Sequence, residues 1–242
     1  MKKTIRPIDI MTCAISNMLS DGETVFHGVS SHLPMVAMSL AKKMHAPELV
    51  HLNIPGGVNP GVIHKGYYSS AGADLLDSAE AYFPLEEVFD LSMRGRLDVA
   101  FLGGIQFDIN GNINASVIGD YHRPKLRLPG GAGSAVLIPT AKKAIIWRTK
   151  HDIRTFVEKV DFVTTRGNLW KIVTPLCVFE FKKGKLYLDT IHPTSSLQEV
   201  KENTGFELLY DEIKYTPEPT KEELQMLKKI DPYDYRAIEL GS

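Results

Sequence analysis

The chain has few of the features that mark several broad classes of protein. It contains only two cysteines, Cys13 and Cys177, among 242 residues, which gives no disulfide framework and indicates a reducing compartment. Both lie in apolar runs, so we expect them to be buried as small hydrophobic side chains. The formal net charge of −1 favours neither nucleic acid nor an anionic membrane. No run of about 18 apolar residues is present, and a cytoplasmic protein without a membrane partner is predicted.

Patterns typical of metal sites are also absent. The histidines His32, His45 and His64 are too scattered along the sequence for the ligand spacing of a zinc site. Residues 108–112 resemble the start of a calcium loop, but the last ligand position of such a loop falls on Gly119, which offers no carboxylate. We therefore predict no metal and no bound cofactor.

The first hundred residues alternate between helix-like and strand-like segments. Apolar residues recur at helical spacing over residues 8–19, and Pro34 begins a second predicted helix that ends at Met44. A third helix is predicted near residues 84–94, and strands at 23–28, 48–52 and 97–102. This alternation predicts an α/β fold with an open, mostly parallel sheet flanked by helices.

The rest of the chain adds β-hairpins to this pattern. Asn110-Gly111 stands between two short apolar segments, and both residues tolerate positive φ, which is the strongest short hairpin signal. A tight turn is predicted at 182–184. We also predict strands at 144–148, 160–164, 177–181 and 185–189, a charged helix at 220–229, and a tail after it. No repeat or linker divides the sequence, so one domain spanning residues 1–242 is predicted.

A glycine cluster at residues 129–135 is the first candidate for a functional loop. The main-chain amides of Gly130, Gly131, Ala132 and Gly133 can point at a developing oxyanion or at a phosphate. The cluster lacks the sequence of a P-loop and the spacing of a dinucleotide-binding loop. A purely structural turn is the commoner use of such a sequence.

Several polar residues are further candidates. Asp120, Tyr121 and His122 lie in a hydrophilic segment that can line a polar site, with His122 as a proton carrier, although a solvated loop before a strand is the favoured explanation of this segment alone. His27 and His51 fall at predicted strand ends, where α/β folds bind ligands, although a single histidine there is more often just hydrogen-bonded. Tyr67 and Tyr68, in a loop rich in glycine and proline, are predicted to form a pocket wall.

Taken together, several segments resemble the B-type chain of the glutaconate-type family I CoA-transferases, and the similarity spans nearly the whole chain. The segment after Ile118 reads Gly-Asp-Tyr-His-Arg-Pro-Lys, and the segment at 159–164 is similar to the "KVDYVT" strand of that family. The matching segments are 103–108, 110–114, 118–125, 129–134, 156–164, 193–196 and 202–206.

The resemblance implies an α/β domain of the sugar-phosphate isomerase-like type (NagB/RpiA/CoA transferase-like). It also implies an A (α) subunit as partner, in a heterodimer or heterotetramer, with the active site at their interface. The substrate is then an acyl-CoA, with coenzyme A as part of the substrate. In the transferases a glutamate of the B (β) subunit attacks the thioester, and its position falls on Ile54 in this sequence.

Isoleucine has no heteroatom, so Ile54 can neither attack a carbonyl nor move a proton. One branch of the family that also lacks the glutamate contains ring-opening acyl-CoA hydrolases, and there the resemblance implies that the A subunit supplies the base. This arrangement fits the sequence best. The glycine cluster would then bind the oxyanion or coenzyme A, with His122 and Asp120 as catalytic candidates. A true CoA-transferase, an acyl-CoA decarboxylase and a non-catalytic scaffold subunit stay open. The predicted substrate-pocket residues are Asn53, Ile54, Gln106, Tyr121 and His27.

Overall fold

A computed structural model describes residues 5–61, 69–77 and 79–240. The chain divides into two compact units. The first is discontinuous in sequence and combines residues 1–101 with 217–242, while the second is the continuous segment 102–216. The prediction of one domain stays a prediction.

Helices and strands alternate along the first unit, and strands dominate the second. The described α-helices are α1 (Pro7–Ser16), α2 (His32–Met44), α3 (Glu86–Met93), α4 (Ser134–Thr140), α5 (Leu197–Glu202) and α6 (Lys221–Ile230). The described strands are β1 (Thr24–His27), β2 (Val50–Leu52), β3 (Gly57–Val58), β4 (Ala81–Tyr82), β5 (Val99–Leu102), β6 (Gln106–Phe107), β7 (Ile113–Asn114), β8 (Val117–Gly119), β9 (Pro124–Arg127), β10 (Lys143–Trp147), β11 (Leu169–Val173), β12 (Cys177–Lys182) and β13 (Lys185–Ile191). Two 3-10 turns span Ala73–Leu76 and Tyr235–Leu240.

The sheet of the first unit has β1 at its centre, parallel to β2 on one side and to β5 on the other. β3 and β4 extend it from β2 in the antiparallel sense. The central strands consist almost wholly of buried residues, as parallel strands covered on both faces require. The predicted α/β fold with a parallel centre is confirmed.

Three helices of the first unit share one apolar core. Cys13 from α1, Val36 and Leu40 from α2, and Leu227 and Ile230 from α6 are buried against one another. The α6 helix begins with a capping box, in which the Thr220 and Glu223 side chains each accept the other's backbone N–H. Cys13 and Cys177 are both buried, as predicted, and burial raises the pKa of each thiol.

The predicted C-terminal tail is wrong, because residues 231–240 are tied to α1 by ion pairs. The Arg236 guanidinium is only 6% exposed and contacts carboxylate oxygens of Asp9 at 2.9 Å and Asp231 at 2.6 Å. Arg6 binds Asp9 and Asp234 in the same cluster. Burial would raise the pKa of Asp9, but the hydrogen bonds from Arg6 and Arg236 outweigh it and hold that pKa below its usual value.

In the second unit, β10 and β11 pair in parallel, and β11, β12 and β13 continue as an antiparallel ribbon. The turn between β12 and β13 has Lys183 at φ 52° and Gly184 at φ 74°, the geometry that matches the twist of a two-residue hairpin. The predicted tight turn at 182–184 is therefore confirmed.

The hairpin predicted around Asn110-Gly111 is also present, but its turn differs from the expected one. β6 and β7 pair through Gln106 with Asn114, and only Gly111 has positive φ, at 73°. The Gly111 amide donates to the Asp108 carbonyl at 3.0 Å, and Asp108 Oδ1 accepts the Asn110 amide. The Asp108 side chain thus shapes the five-residue loop 108–112, and the hairpin interpretation of this segment is the right one.

One predicted strand is wrong and another was missed. Residues 160–164 form no strand, and at the start of the segment side chains accept the backbone amides: the Val160 amide donates to Asp108 Oδ2 and the Asp161 amide to Gln106 Oε1. The strand β11 was not predicted, and it carries Lys171 in its centre, which breaks the apolar run. Among the described residues, no helix is long and apolar enough to cross a membrane.

Candidate functional site

Ile54 occupies a tight turn at the carboxyl end of β2, the end of a parallel strand where α/β folds place ligands. Its side chain is half-buried. The turn is closed by the Gly56 amide, which donates to the Asn53 carbonyl at 3.2 Å, and by the Asn53 amide, which donates to the Gly57 carbonyl at 3.2 Å. Ile54 is therefore held at a fixed corner of the backbone.

Two further groups make this turn rigid. The buried Asn53 side chain accepts the Gly57 amide at 2.7 Å and donates to the Leu75 carbonyl at 3.3 Å. Gly56 has φ 95°, and a Cβ there would lie 2.1 Å from the Phe83 carbonyl oxygen, so only glycine fits. Both polar ends of the Asn53 amide are thus used to hold the turn. Its predicted contact with substrate stays a prediction.

Below the turn, two histidines lie side by side in the sheet. The register sets Val25 beside His51 and Phe26 beside Leu52, so His27 stands level with Asn53 at the strand ends. The rings of His27 and His51 have centroids 5.0 Å apart and are steeply inclined to each other, at 62°. Both side chains are buried, at 0% and 2% exposed.

The hydrogen bonding of this pair is incomplete. His27 Nδ1 lies 3.1 Å from the Gly28 carbonyl oxygen, so Nδ1 carries the proton and Nε2 has a free lone pair. Neither His27 Nε2 nor His51 Nε2 has a hydrogen-bond partner in the described part of the chain. Burial lowers the pKa of His27 to about 4 and that of His51 well below its ordinary value, so both imidazoles are neutral at pH 7. The alternative that each histidine is simply hydrogen-bonded is therefore wrong for these Nε2 atoms.

In the second unit, Gln106 is the centre of a buried polar network. Its Oε1 accepts the Asn114 side-chain amide at 2.7 Å and the Asp161 backbone amide at 3.1 Å. Its Nε2 donates to Asp161 Oδ2, which also accepts the Gly119 amide at 2.8 Å. Gln106 therefore links the β6–β7 hairpin to Asp161. Its predicted role in a substrate pocket stays a prediction.

The glycine turn presents free amides to solvent. Gly130 is not one of them, since its amide donates to the Ala115 carbonyl at 2.8 Å. The amides of Gly131, Ala132 and Gly133 have no acceptor among the described residues. Ala132 has φ 42° and Gly133 has φ −63°, and such a change of hand between successive residues forms a concave nest that favours anions.

The residues before this turn form the exposed β8–β9 hairpin. The Asp120 carboxylate accepts the backbone amides of His122 and Arg123 at 2.8 and 2.9 Å, so it shapes the hairpin turn. Tyr121 is 45% exposed and stacks on Phe162 with centroids 4.8 Å apart. His122 is exposed beside the Tyr121 ring. Asp120 therefore has a structural function, and proton transfer by His122 stays a prediction.

The predicted site residues fall into two groups, one in each unit. Asn53, Ile54 and His27 belong to the first unit, whereas Gln106 and the 120–133 segment belong to the second. His51 was recognised in the sequence only as a strand-end residue, and its contact with His27 follows from the parallel register. Tyr67 and Tyr68 lie outside the described residues. A cavity of about 630 Å³ in the first unit is lined by residues of the Arg6–Arg236 cluster and by none of the predicted site residues.

Comparison with known proteins decides the family. The model of the Coenzyme A transferase family matches residues 8–203. The chain belongs to this family. One Coenzyme A transferase relative, the B subunit of the 3-oxoadipate CoA-transferase of Pseudomonas knackmussii, is 33% identical over 245 residues that cover 92% of either chain.

Two further proteins are similar to this chain over nearly its whole length. The B subunit of the glutaconate CoA-transferase of Acidaminococcus fermentans is 29% identical over 254 residues, covering 93% of this chain and 92% of the relative. The crystal structure of the decarboxylase AibA/AibB superimposes with a TM-score of 0.92 at 28% identity, covering 99% of this chain and 100% of that chain. Proteins named as transferases and a protein named as a decarboxylase are thus both similar to this chain.

Proposed function

We propose that the chain is the B-type component of a heteromeric enzyme that hydrolyses a carbon–carbon bond of a cyclic keto acyl-CoA. The observation that carries the proposal is Ile54. The resemblance to the glutaconate-type transferases assigns a nucleophilic glutamate to this corner of the β2–β3 turn, and the side chain found there is a hydrocarbon. Asn53 and Gly56 fix the conformation of this turn, so a neighbouring residue does not shift into the position of the Ile54 side chain.

The neighbouring strand does not supply a substitute carboxylate. The Phe83 amide donates to the Gly56 carbonyl at 2.8 Å, which places Phe83 beside the turn. Glu80 lies three residues earlier, about 10 Å along the chain, and its carboxylate accepts the Asn59 side-chain amide. Covalent capture of the thioester by Glu80 is therefore not expected.

In the proposed reaction, water attacks a ring ketone and the bond to the adjacent carbon breaks. The products are a carboxylate and an enolate of the acyl-CoA, which takes up a proton. The free amides of Gly131, Ala132 and Gly133 are suited to bind the negative oxygen, and one such donor is typically worth about 3 kcal/mol of transition-state stabilisation. His122 is the candidate to exchange a proton with the enolate.

The base that activates water belongs, in this proposal, to an A subunit. The named transferase relatives are themselves B subunits, and the decarboxylase carries two component names, AibA and AibB. Coenzyme A enters as part of the substrate, and no further cofactor is invoked. We expect the complex, rather than the isolated chain, to be active.

The test uses the complex with its A subunit and a cyclic keto acyl-CoA. The parent should release the ring-opened acid, should not exchange coenzyme A with acetate, and should form no hydroxylamine-sensitive adduct. Ile54→Glu should gain the adduct, because it restores a carboxylate at the corner of the turn. Val58→Glu, a half-buried position on β3 of the same hairpin, is the matched control and should not gain it. An adduct in the unmodified complex would refute the proposal.

A true CoA-transferase is the second candidate, because the 33% identical relative carries that name. Glu86 and Glu87 begin α3 three and four residues after Phe83, so they are the first carboxylates that follow Phe83 along the chain. If either were the nucleophile, the parent would form the adduct and Glu86→Gln or Glu87→Gln would abolish it.

The same assays separate the remaining alternatives. Release of carbon dioxide from a carboxylated acyl-CoA, with no ring opening, would assign the chain to decarboxylation. If substitutions at His122 and Ala132 change only assembly with the A subunit and leave the activity per complex intact, the chain acts as a scaffold.

A further inference from the structure

The β8–β9 hairpin presents three exposed cations within five residues, Arg123, Lys125 and Arg127. Arg123 and Lys125 make no side-chain hydrogen bond or ion pair in the described part of the chain. The single carboxylate of the hairpin, on Asp120, accepts two backbone amides and forms no ion pair with Arg123 or Lys125. The hairpin is therefore a positively charged surface without an internal counter-ion.

Lys125 lies at an irregularity of the strand. Pairing passes from Gly119 opposite Pro124 to Ile118 opposite Leu126, so Lys125 is the extra residue of a β-bulge. Bulges re-aim side chains out of the regular alternation. The stem of Lys125 lies over Gly119, where an added Cβ would be 3.3 Å from Lys125 Cγ. Lys125 is exposed to solvent there.

Arg127 is held in place on the same strand. Its guanidinium donates to the Tyr121 carbonyl at 3.0 Å and lies 4.9 Å from the centroid of the Tyr121 ring. The ring itself stacks on Phe162. Arg127 and Phe162 both pack against Tyr121, so this aromatic residue supports Arg127 and is not available to stack on a base. A preorganised guanidinium fork is well suited to phosphate oxygens.

The position of these cations relative to the glycine turn suggests one ligand. Lys125 and Arg127 are about 7 Å apart along β9, and the free amides begin at Gly131, at most about 14 Å of chain beyond Arg127. Coenzyme A carries a thioester at one end of a flexible pantetheine arm and phosphates at the other. A thioester at the glycine turn leaves the phosphates within reach of the β9 cations.

We propose that Lys125 and Arg127 anchor the phosphate groups of the coenzyme A nucleotide, with Arg123 adding to the positive field. The inference rests on the proposed function only for the identity of the ligand as an acyl-CoA. It does not depend on whether the reaction is ring opening, decarboxylation or transfer. Binding through exposed cations should weaken with salt.

The test measures binding of coenzyme A, dephospho-coenzyme A and 3′,5′-ADP to the complex by calorimetry, and the KM for an acyl-CoA and for the same acyl group on pantetheine. Lys125→Glu and Arg127→Gln should each weaken coenzyme A binding about tenfold, as loss of one charged hydrogen bond predicts. They should raise the KM for the acyl-CoA and leave the KM for the acyl-pantetheine unchanged. Lys201→Glu, an exposed charge reversal on α5, is the control and should change neither.

Three results would overturn the inference. These are unchanged coenzyme A affinity in both variants, an equal loss for the acyl-pantetheine, and loss of assembly with the A subunit as the only effect. Retained binding of coenzyme A in a complex that shows no ring opening would refute the proposed function and leave the phosphate anchor intact. A smaller loss for dephospho-coenzyme A than for coenzyme A would assign the contact to the 3′-phosphate.

Discussion

The imidazole of His27 lies edge to face with that of His51 at a centroid distance of 5.0 Å, and the Nε2 atom of each is without a hydrogen-bond partner in the described structure. His32 acts electrostatically on His27, and Lys42 acts on His51. Leaving a buried polar atom unpaired typically costs about 1–3 kcal/mol. The pair therefore lowers the stability of the sheet end that carries the Ile54 turn.

The first prediction is a loss of stability in mild acid. Burial lowers the pKa of His27 and His192 to about 4 and of His151 to about 3, so the folded chain binds fewer protons than the unfolded chain between these values and pH 6.5. The contribution of these histidines to the free energy of unfolding is therefore fully present above pH 6.5 and is lost as the pH falls toward 4. Each group contributes a slope of at most about 1.4 kcal/mol per pH unit, measured as the free energy of unfolding in urea from pH 7.5 to 4.5.

The variant His27→Leu isolates the contribution of one histidine to this pH dependence. Leucine removes the titrating group and the unpaired atom, so the variant should be as stable as the parent or more stable at pH 7, with a shallower loss in acid. The exposed His122→Leu is the control and should keep the slope of the parent. An unchanged slope in His27→Leu would contradict the assignment of a neutral buried imidazole.

The second prediction concerns the strained residue in the glycine turn. Ala132 has φ 42°, a conformation that costs a non-glycine residue about 1–2 kcal/mol. Ala132→Gly should therefore raise the free energy of unfolding by about 0.5–1 kcal/mol, even though glycine is more flexible when unfolded. Ala135→Gly, an exposed position in α4, should lower it by about 1 kcal/mol. Equal signs for the two substitutions in urea denaturation would show that the turn is not strained.

The third prediction concerns the cluster at the chain ends. Arg236→Met leaves Asp9 and Asp231 buried without their shared cation, and we expect a loss of about 3 kcal/mol in the free energy of unfolding. Arg94→Met removes an ion pair with Asp90 whose side chains are 71% and 58% exposed, and it should change stability by less than about 0.5 kcal/mol. Comparable losses in chemical denaturation would rule out a structural function for the cluster.

The fourth prediction separates steric overlap from backbone strain. Gly111 and Gly184 have nearly equal φ, 73° and 74°, but an added Cβ at Gly111 would lie 2.5 Å from the Phe181 ring, whereas at Gly184 it meets nothing within 4 Å. Gly184→Ala should cost about 1 kcal/mol and Gly111→Ala about 3 kcal/mol. Thermal and urea unfolding of both variants check the difference, and equal costs would place Phe181 away from the loop.

Much of the first unit was predictable because its elements obey simple periodicity. The β1, β2 and β5 strands are short apolar runs, and α2 and α6 follow from Pro34 and from the Thr220–Glu223 capping pattern. The misassigned 160–164 segment looked like a strand by composition. Two of its backbone amides donate to the side chains of Asp108 and Gln106, which are distant in sequence, and no local pattern shows this.

The candidate site was predictable in its residues and not in their hydrogen bonds. The sequence contains Ile54, Gln106 and the glycine turn in recognisable positions. It does not show that Asn53 and Gln106 use their amides internally, or that the Gly130 amide is already bound to Ala115. These assignments depend on long-range pairing, which one sequence does not encode in any local pattern.

The interrupted order of the first unit has a consequence for biosynthesis. Its helix core needs α6, so the nascent N-terminal part stays unfinished until residues 217–240 leave the ribosome. The intervening segment 102–216 is continuous and is free to fold earlier, while its flanks wait. Apolar faces of α1 and α2 are then uncovered throughout synthesis, which makes this stage the most exposed to aggregation and to chaperone binding.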